Sequence, residues 1–233
     1  MKEVVSALWS LGKETAFWSA VAGAVVGGLI ALVIQLVNLR ASKRQRDEDR
    51  LYTRQALGNS LLFKVVRIHS NIFGIHHHIE TCYKSALKLG GESEPWNFMI
   101  PLANPPEFVF FSADEMAMLL ALKDNELFNL VMSLDVIHNS LVEMLKLLNV
   151  TRKDLTDRLK VQQIDGTTLS GVFSENEKLA LRPKMIEVNA LAEQVRMLAK
   201  NYYDDSAKAL EQLAELLRSK LNLTYSIERI RKM

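Results

Sequence analysis

The chain has 233 residues, 48% of them hydrophobic and 24% charged, a composition that excludes a disordered polymer and suits a folded protein. A net charge of +2 leaves no global basic field for nucleic acid, and the one cysteine, Cys82, excludes an internal disulfide and a CxxC metal pair. Ten glycines and five prolines are few for this length, so helix formers dominate and an all-α chain is expected.

Residues 1–15 are predicted to form a short extracytoplasmic tail. Val4, Val5, Leu8, Trp9 and Leu11 share one side of a helix there, which suits either an interfacial segment or a frayed end. From Ala16 to Val37 the chain reads AFWSAVAGAVVGGLIALVIQLV, without a charge. About 22 helical residues reach roughly 33 Å, enough for a hydrocarbon core of about 30 Å. The apolar run is longer than that of a cleaved signal peptide, and its small residues lie inside it rather than after it. Residues 16–39 therefore read as an uncleaved transmembrane helix.

Arg40, Lys43, Arg44 and Arg46 follow the span, with Arg50 and Arg54 beyond, whereas only Lys2 and Lys13 precede it. Positive charge stays on the cytoplasmic side. The expected topology is an N-terminus outside the plasma (inner) membrane and a cytoplasmic part over residues 40–233. Within the span, Ser19, Gly23, Gly27 and Ala31 recur every fourth residue, a ridge of small side chains along which a second copy can approach. A homo-oligomer is expected from it.

No proline or glycine interrupts the chain from the span to Gly58, so the transmembrane helix is expected to continue into an elongated antiparallel cytoplasmic bundle. Leu61, Val65, Ile68, Ile72, Ile75, Ile79, Cys82 and Ala86 alternate spacings of four and three, a heptad seam. Beside it runs a second: Leu62, Val66, His69, Phe73, His76, Glu80, Tyr83 and Leu87. Two adjacent seams make a face broad enough for several neighbouring helices. Gly90-Gly91 is the predicted helix end.

Residues 91–111 hold four of the five prolines and form an excursion. Its EFVFF stretch, Glu107 to Phe111, is expected to plug the end of the bundle. Ser112 and Glu115 have capping-box spacing. Met116, Leu119, Leu120 and Leu122 form the apolar face of the helix they open, before a turn at Lys123-Asp124-Asn125. Next come Leu127, Leu130, Leu134, Ile137, Leu141, Met144 and Leu148 at helical spacing, flanked by Phe128, Val131, Asp135, His138, Val142 and Leu145. Thr151 is predicted to cap a separate short helix, DGTTLSG to be a loop, and Ser174 with Glu177 to open the last long helix. Pro183 should kink that helix or mark its start. Val188, Leu191, Val195, Leu198 and Tyr202 form its seam, with Leu210, Leu213, Leu217 and Leu221 beyond.

GIHHHIE, residues 74–80, invites a metal. Successive helical residues turn about 100°, so His76, His77 and His78 cannot face one ion, and the last two are expected to face solvent or a neighbouring chain. A broader set, His69, His76, Glu80, Asp135 and His138, has the residue types of a bundle-core site for zinc or iron. The competing reading makes them a hydrogen-bonded layer that fixes helix register. A glycine-rich phosphate loop and a G-x-S-x-G elbow are both absent from the sequence, and no catalytic residue is assigned. Cys82 occupies a core position of the seam.

These features favour a single-pass, membrane-anchored helical interaction protein, rather than an enzyme. It would act as a sensor, assembly factor or scaffold, through self-association or through an unknown protein partner. A membrane-tethered metal-binding bundle or metalloenzyme, and an oligomerising membrane-perturbing effector, are the alternatives.

Overall fold

The structure, a computed structural model, describes residues 15–88, 94–102, 104–158, 162–165, 168–170 and 175–223. The N-terminal stretch through 14, the Gly90-Gly91 stop, Ser174 of the second capping box and the tail from 224 lie outside the described residues. The elements are α1 (Thr15–Lys88), α2 (Pro95–Phe98), α3 (Ala113–Ala121), α4 (Asn125–Arg158), strands β1 (Gln162–Asp165) and β2 (Thr168–Ser170), and α5 (Glu175–Leu221). Among the described residues, the regular structure is helical apart from one pair of short strands. It divides into two compact units, Met1–Thr53 and Arg54–Met233.

The first unit contains the N-terminal part of α1. This part is long and apolar enough to cross a membrane, and none of the apolar stretch is buried within the protein. Val25, Val26, Leu29, Ile30, Val33 and Val37 are all more than half exposed, the reverse of a soluble core helix.

In the second unit, the first predicted seam of α1 is buried in full, from Leu61 at 0% exposed to Ala86 at 7%. Each large aliphatic removed from water there contributes about 1.5–3 kcal/mol. Gln55 donates to the Leu221 carbonyl (2.8 Å), His69 meets Ser206, and Arg196 meets Glu80, so α5 runs antiparallel to α1. Asn71 meets His138, and the Arg152 charge acts on Cys82, so α4 runs parallel to α1. Ion pairs Lys208–Glu126 (3.5 Å) and Lys184–Asp154 (3.3 Å) set α4 against α5, antiparallel.

The buried stripes of α4 and α5 differ from the predicted seams. In α4 the centre passes through Leu127, Val131, Leu134, His138, Leu141, Leu145 and Leu148, while Leu130, Ile137 and Met144 are only half-buried. In α5, Ala192, Ala199, Ser206, Ala209 and Ala214 are buried, and Leu191, Leu198 and Tyr202 flank them. Small side chains at those positions let neighbouring helices come close. Similarly, on α3 the buried residues are Glu115, Met118 and Leu119, and Leu120 is exposed.

Four further expectations are corrected. The EFVFF stretch does not plug an end: its segment runs back along α1, with Ile100 beside His78, Glu107 on Arg67 (2.7 Å) and Glu115 on Lys64 (2.7 Å). Thr151 starts no new helix, because Leu148, Thr151, Arg152 and Leu155 continue the buried stripe of α4 without a breaker. Residues 162–165 and 168–170 pair as an antiparallel hairpin where the loop was expected, with a register irregularity between Gln163 and Asp165. Pro183 lies inside α5, which starts at Glu175, so it does not mark the helix start.

Several ends follow the sequence. Ser112 caps α3 in a complete capping box with Glu115. Asp124 accepts the Leu127 amide (3.0 Å) at the start of α4, after Lys123 takes a left-handed φ of 61°. Asn222 (φ 53°) ends α5 as an asparagine in the left-handed cap position.

Candidate functional site

The polar side chains of the second unit fall into groups on different faces of α1. The first joins α1 to α4 and to the extended segment. Asn71 Nδ2 donates to His138 Nε2 (2.9 Å), and His138 Nδ1 donates to Asn139 Oδ1 (3.2 Å). These partners define a neutral imidazole with its proton on Nδ1. His138 is fully buried, and burial holds its pKa below the ordinary value because a charged ring would lose its hydration. Asn139 also takes both backbone groups of Val109: the amide donates to Oδ1 (3.0 Å) and Nδ2 donates to the carbonyl (2.8 Å). Both backbone groups of Val109, which lies outside any helix or sheet, are thereby satisfied by one amide side chain. Asp135 accepts from Asn139 Nδ2 (3.3 Å), and burial raises its pKa.

The second group joins α1 to α5. Ser206 Oγ donates to the Tyr203 carbonyl (2.7 Å), which leaves the oxygen to accept from His69 Nδ1 (2.9 Å). Burial lowers the pKa of His69, which disfavours its charged form. Tyr203 stacks on His69 (5.5 Å between ring centroids) and on His76 (6.0 Å), and Phe73 packs beside it. His76 Nδ1 is buried without a hydrogen-bond partner. Glu80 takes the Arg196 Nε (2.8 Å), and that hydrogen bond holds its carboxyl below the ordinary value. Arg196 also covers the Tyr83 ring at 3.9 Å, and the Tyr83 hydroxyl donates to Glu193.

The five candidate metal ligands are thus split: His69, His76 and Glu80 face α5, whereas Asp135 and His138 meet Asn71, Asn139 and the extended segment. Among the described residues, no group of three or more His, Cys, Asp or Glu side chains is arranged to hold a metal ion. His77 is exposed and stacks on Phe73 (5.8 Å). His78 does not face solvent as expected: it is half-buried, and its Nε2 donates to the Ile100 carbonyl (2.8 Å).

Two buried charges are absent from the sequence reading. Glu115, 2% exposed, accepts from Ser60 Oγ (2.6 Å), Lys64 Nζ (2.7 Å) and the Ser112 amide (2.7 Å). Burial pushes its carboxyl up, but these donors outweigh burial and leave its pKa lowered. The capping spacing gave a signal for its helix role but none for Lys64. Arg152 is the second, buried in the stripe of α4.

In the first unit, Ser19, Gly23, Gly27 and Ala31 are all exposed, and a Cβ added at Gly23 or Gly27 would meet no atom within 4 Å. Arg40, Lys43, Arg44 and Arg46 are exposed, and Arg44 pairs with Glu48 (3.0 Å) one turn on.

Compared with protein-family models, curated proteins and solved structures, the chain matches none.

Proposed function

We propose that this is a single-pass membrane protein whose cytoplasmic helical bundle binds another protein or a second copy, acting as a sensor, assembly factor or scaffold. The observation that carries the reading is the apolar stretch of α1, of which nothing is covered by the protein itself. Uncovered apolar surface of that length needs lipid around it. The basic residues Arg40, Lys43, Arg44 and Arg46 support a cytoplasmic C-terminal side in the plasma (inner) membrane.

Self-association would run along Ser19, Gly23, Gly27 and Ala31, where the absence of side-chain bulk lets two backbones meet. The second unit supports an interaction role through side chains that join helices, among them Asn71 with His138, His69 with Ser206 and Glu80 with Arg196. In membranes, the wild-type chain should give a dimer or higher ladder on crosslinking, and Gly23→Ile with Gly27→Ile should abolish it. A ladder unchanged by the double substitution would exclude association through this ridge.

A further inference from the structure

Arg40, Lys43, Arg44, Arg46 and Arg50 follow the apolar stretch within the unbroken helix α1, and all five are exposed. At about 100° per residue they fall within an arc of about 160° on one side of the helix. Asp47 shares that arc, whereas Glu48 and Asp49 lie outside it. Arg44 Nε is held by Glu48 (3.0 Å). Among the described residues, the other four cations have no acid within ion-pair distance. Arg40, Lys43 and Arg44 share with Asp47, Glu48 and Leu51 the walls of a shallow recess of about 410 Å³. Arg40 with Arg44, and Arg46 with Arg50, are like charges four residues apart, which disfavour a helix unless a counter-charge comes from outside.

We propose that this basic face binds anionic phospholipid headgroups of the membrane that α1 crosses, an inference that rests on the reading of α1 as a membrane span. Arg40 stands three residues after Val37, the last residue of the apolar stretch. Arg46 lies about 9 Å further along the axis, still about one Debye length from the point of emergence. A guanidinium can take two phosphate oxygens at once, and a lysine adds a point charge. Lipid phosphates are held in the plane where the helix emerges, so their effective concentration at the face far exceeds that of a dissolved phosphate. Each cation near an anionic surface is worth about a fivefold preference.

The test is electron spin resonance of the full chain in phosphatidylcholine vesicles, with spin-labelled phosphatidylglycerol or phosphatidylcholine as the probe. The wild-type chain should immobilise the glycerol lipid about fivefold or more in preference at low salt, and the preference should fall steeply at high salt. Arg40→Gln, Lys43→Gln, Arg44→Gln and Arg46→Gln together should abolish it; glutamine keeps the helix propensity. The same loss of charge at Lys84, Lys153, Lys200 and Lys220, exposed positions of the second unit, should leave it intact. Circular dichroism checks both variants; if the first does not fold, the wild-type preference and its salt dependence decide.

An absent or salt-insensitive wild-type preference, one that survives the first variant, or an equal loss in the second would each overturn the proposal. Loss of the preference on adding millimolar glycerol phosphate would assign the face to a soluble anion and overturn it as well. Carbonate extraction of the same vesicles separates the two readings. Release of the wild-type chain would overturn the span and this inference together, whereas retention without a lipid preference would overturn this inference alone.

Discussion

Asn71 on α1 donates to the Nε2 of His138 on α4 across 2.9 Å, in a position where His138 has no contact with water. The bond requires an unprotonated Nε2, so it ties the seating of α4 on α1 to the charge state of one ring. A group with a depressed folded pKa contributes stability above its unfolded value of 6.5 and loses it as pH falls through the folded value. His69 works in the same direction. His78 is raised, so its contribution is present below 6.5 and is lost as pH rises through its folded value. The two depressed histidines predict a thermal midpoint that falls from pH 7 to pH 5. In His138→Gln the fall should be shallower. An equal slope in both proteins, measured by circular dichroism, would remove His138 as a titrating contributor.

Asn139 predicts a local effect. Asn139→Ala leaves the Val109 amide and carbonyl without their partners, an unmet polar cost of about 1–3 kcal/mol. Hydrogen exchange of residues 107–111 should accelerate markedly, with α5 unchanged. Uniform acceleration across the second unit would mean that Asn139 holds the whole fold rather than this segment.

Glu115 predicts a global effect. It caps α3 and receives Lys64 and Ser60 while buried, so Glu115→Ala strands a lysine and frees a helix end. The loss should be on the order of 3 kcal/mol, at the low end for a buried pair because Lys64 is partly solvated. Ser112→Ala, which removes the cap alone, should cost about 1 kcal/mol. Urea unfolding of both variants checks the ratio; equal losses would assign the Glu115 effect to capping.

Close packing predicts a third class of variant. A Cβ on Gly58 would lie 3.0 Å from a Leu217 methyl and 3.2 Å from a Leu221 methyl, so Gly58→Val should strain the packing of α1 on α5. Ala199 is fully buried, and Ala199→Leu should cost about 1–3 kcal/mol through overpacking. Gly23→Ala, which meets nothing, should leave the second unit's stability unchanged. Thermal unfolding of the three side by side is the check.

What could be read from the sequence depended on the size and polarity of the side chains. The α1 seam was legible because Leu, Val and Ile occupy every position until Cys82 and Ala86. The α4 stripe was misplaced by one position in its middle, since an aliphatic count prefers Ile137 to His138. The α5 stripe was hidden because alanine and serine carry little hydropathy signal, although the close helix contact depends on their size. The hairpin had no alternating apolar pattern to announce it. The five metal candidates share residue type and helical spacing, but spacing does not say which neighbour each face meets, and α1 turns Glu80 toward Arg196 and away from Asp135. Asn139 could be found only from its partner Val109, 30 residues earlier in the chain, and Arg152 only from its burial.

The most direct test of the central claim is the topology of the full chain with a C-terminal epitope in bacterial inner-membrane vesicles. The chain should stay in the membrane pellet after alkaline carbonate. Added protease should remove the epitope in inside-out vesicles and spare it in right-side-out ones. Release by carbonate, or loss of the epitope from right-side-out vesicles, would contradict the anchor or its orientation.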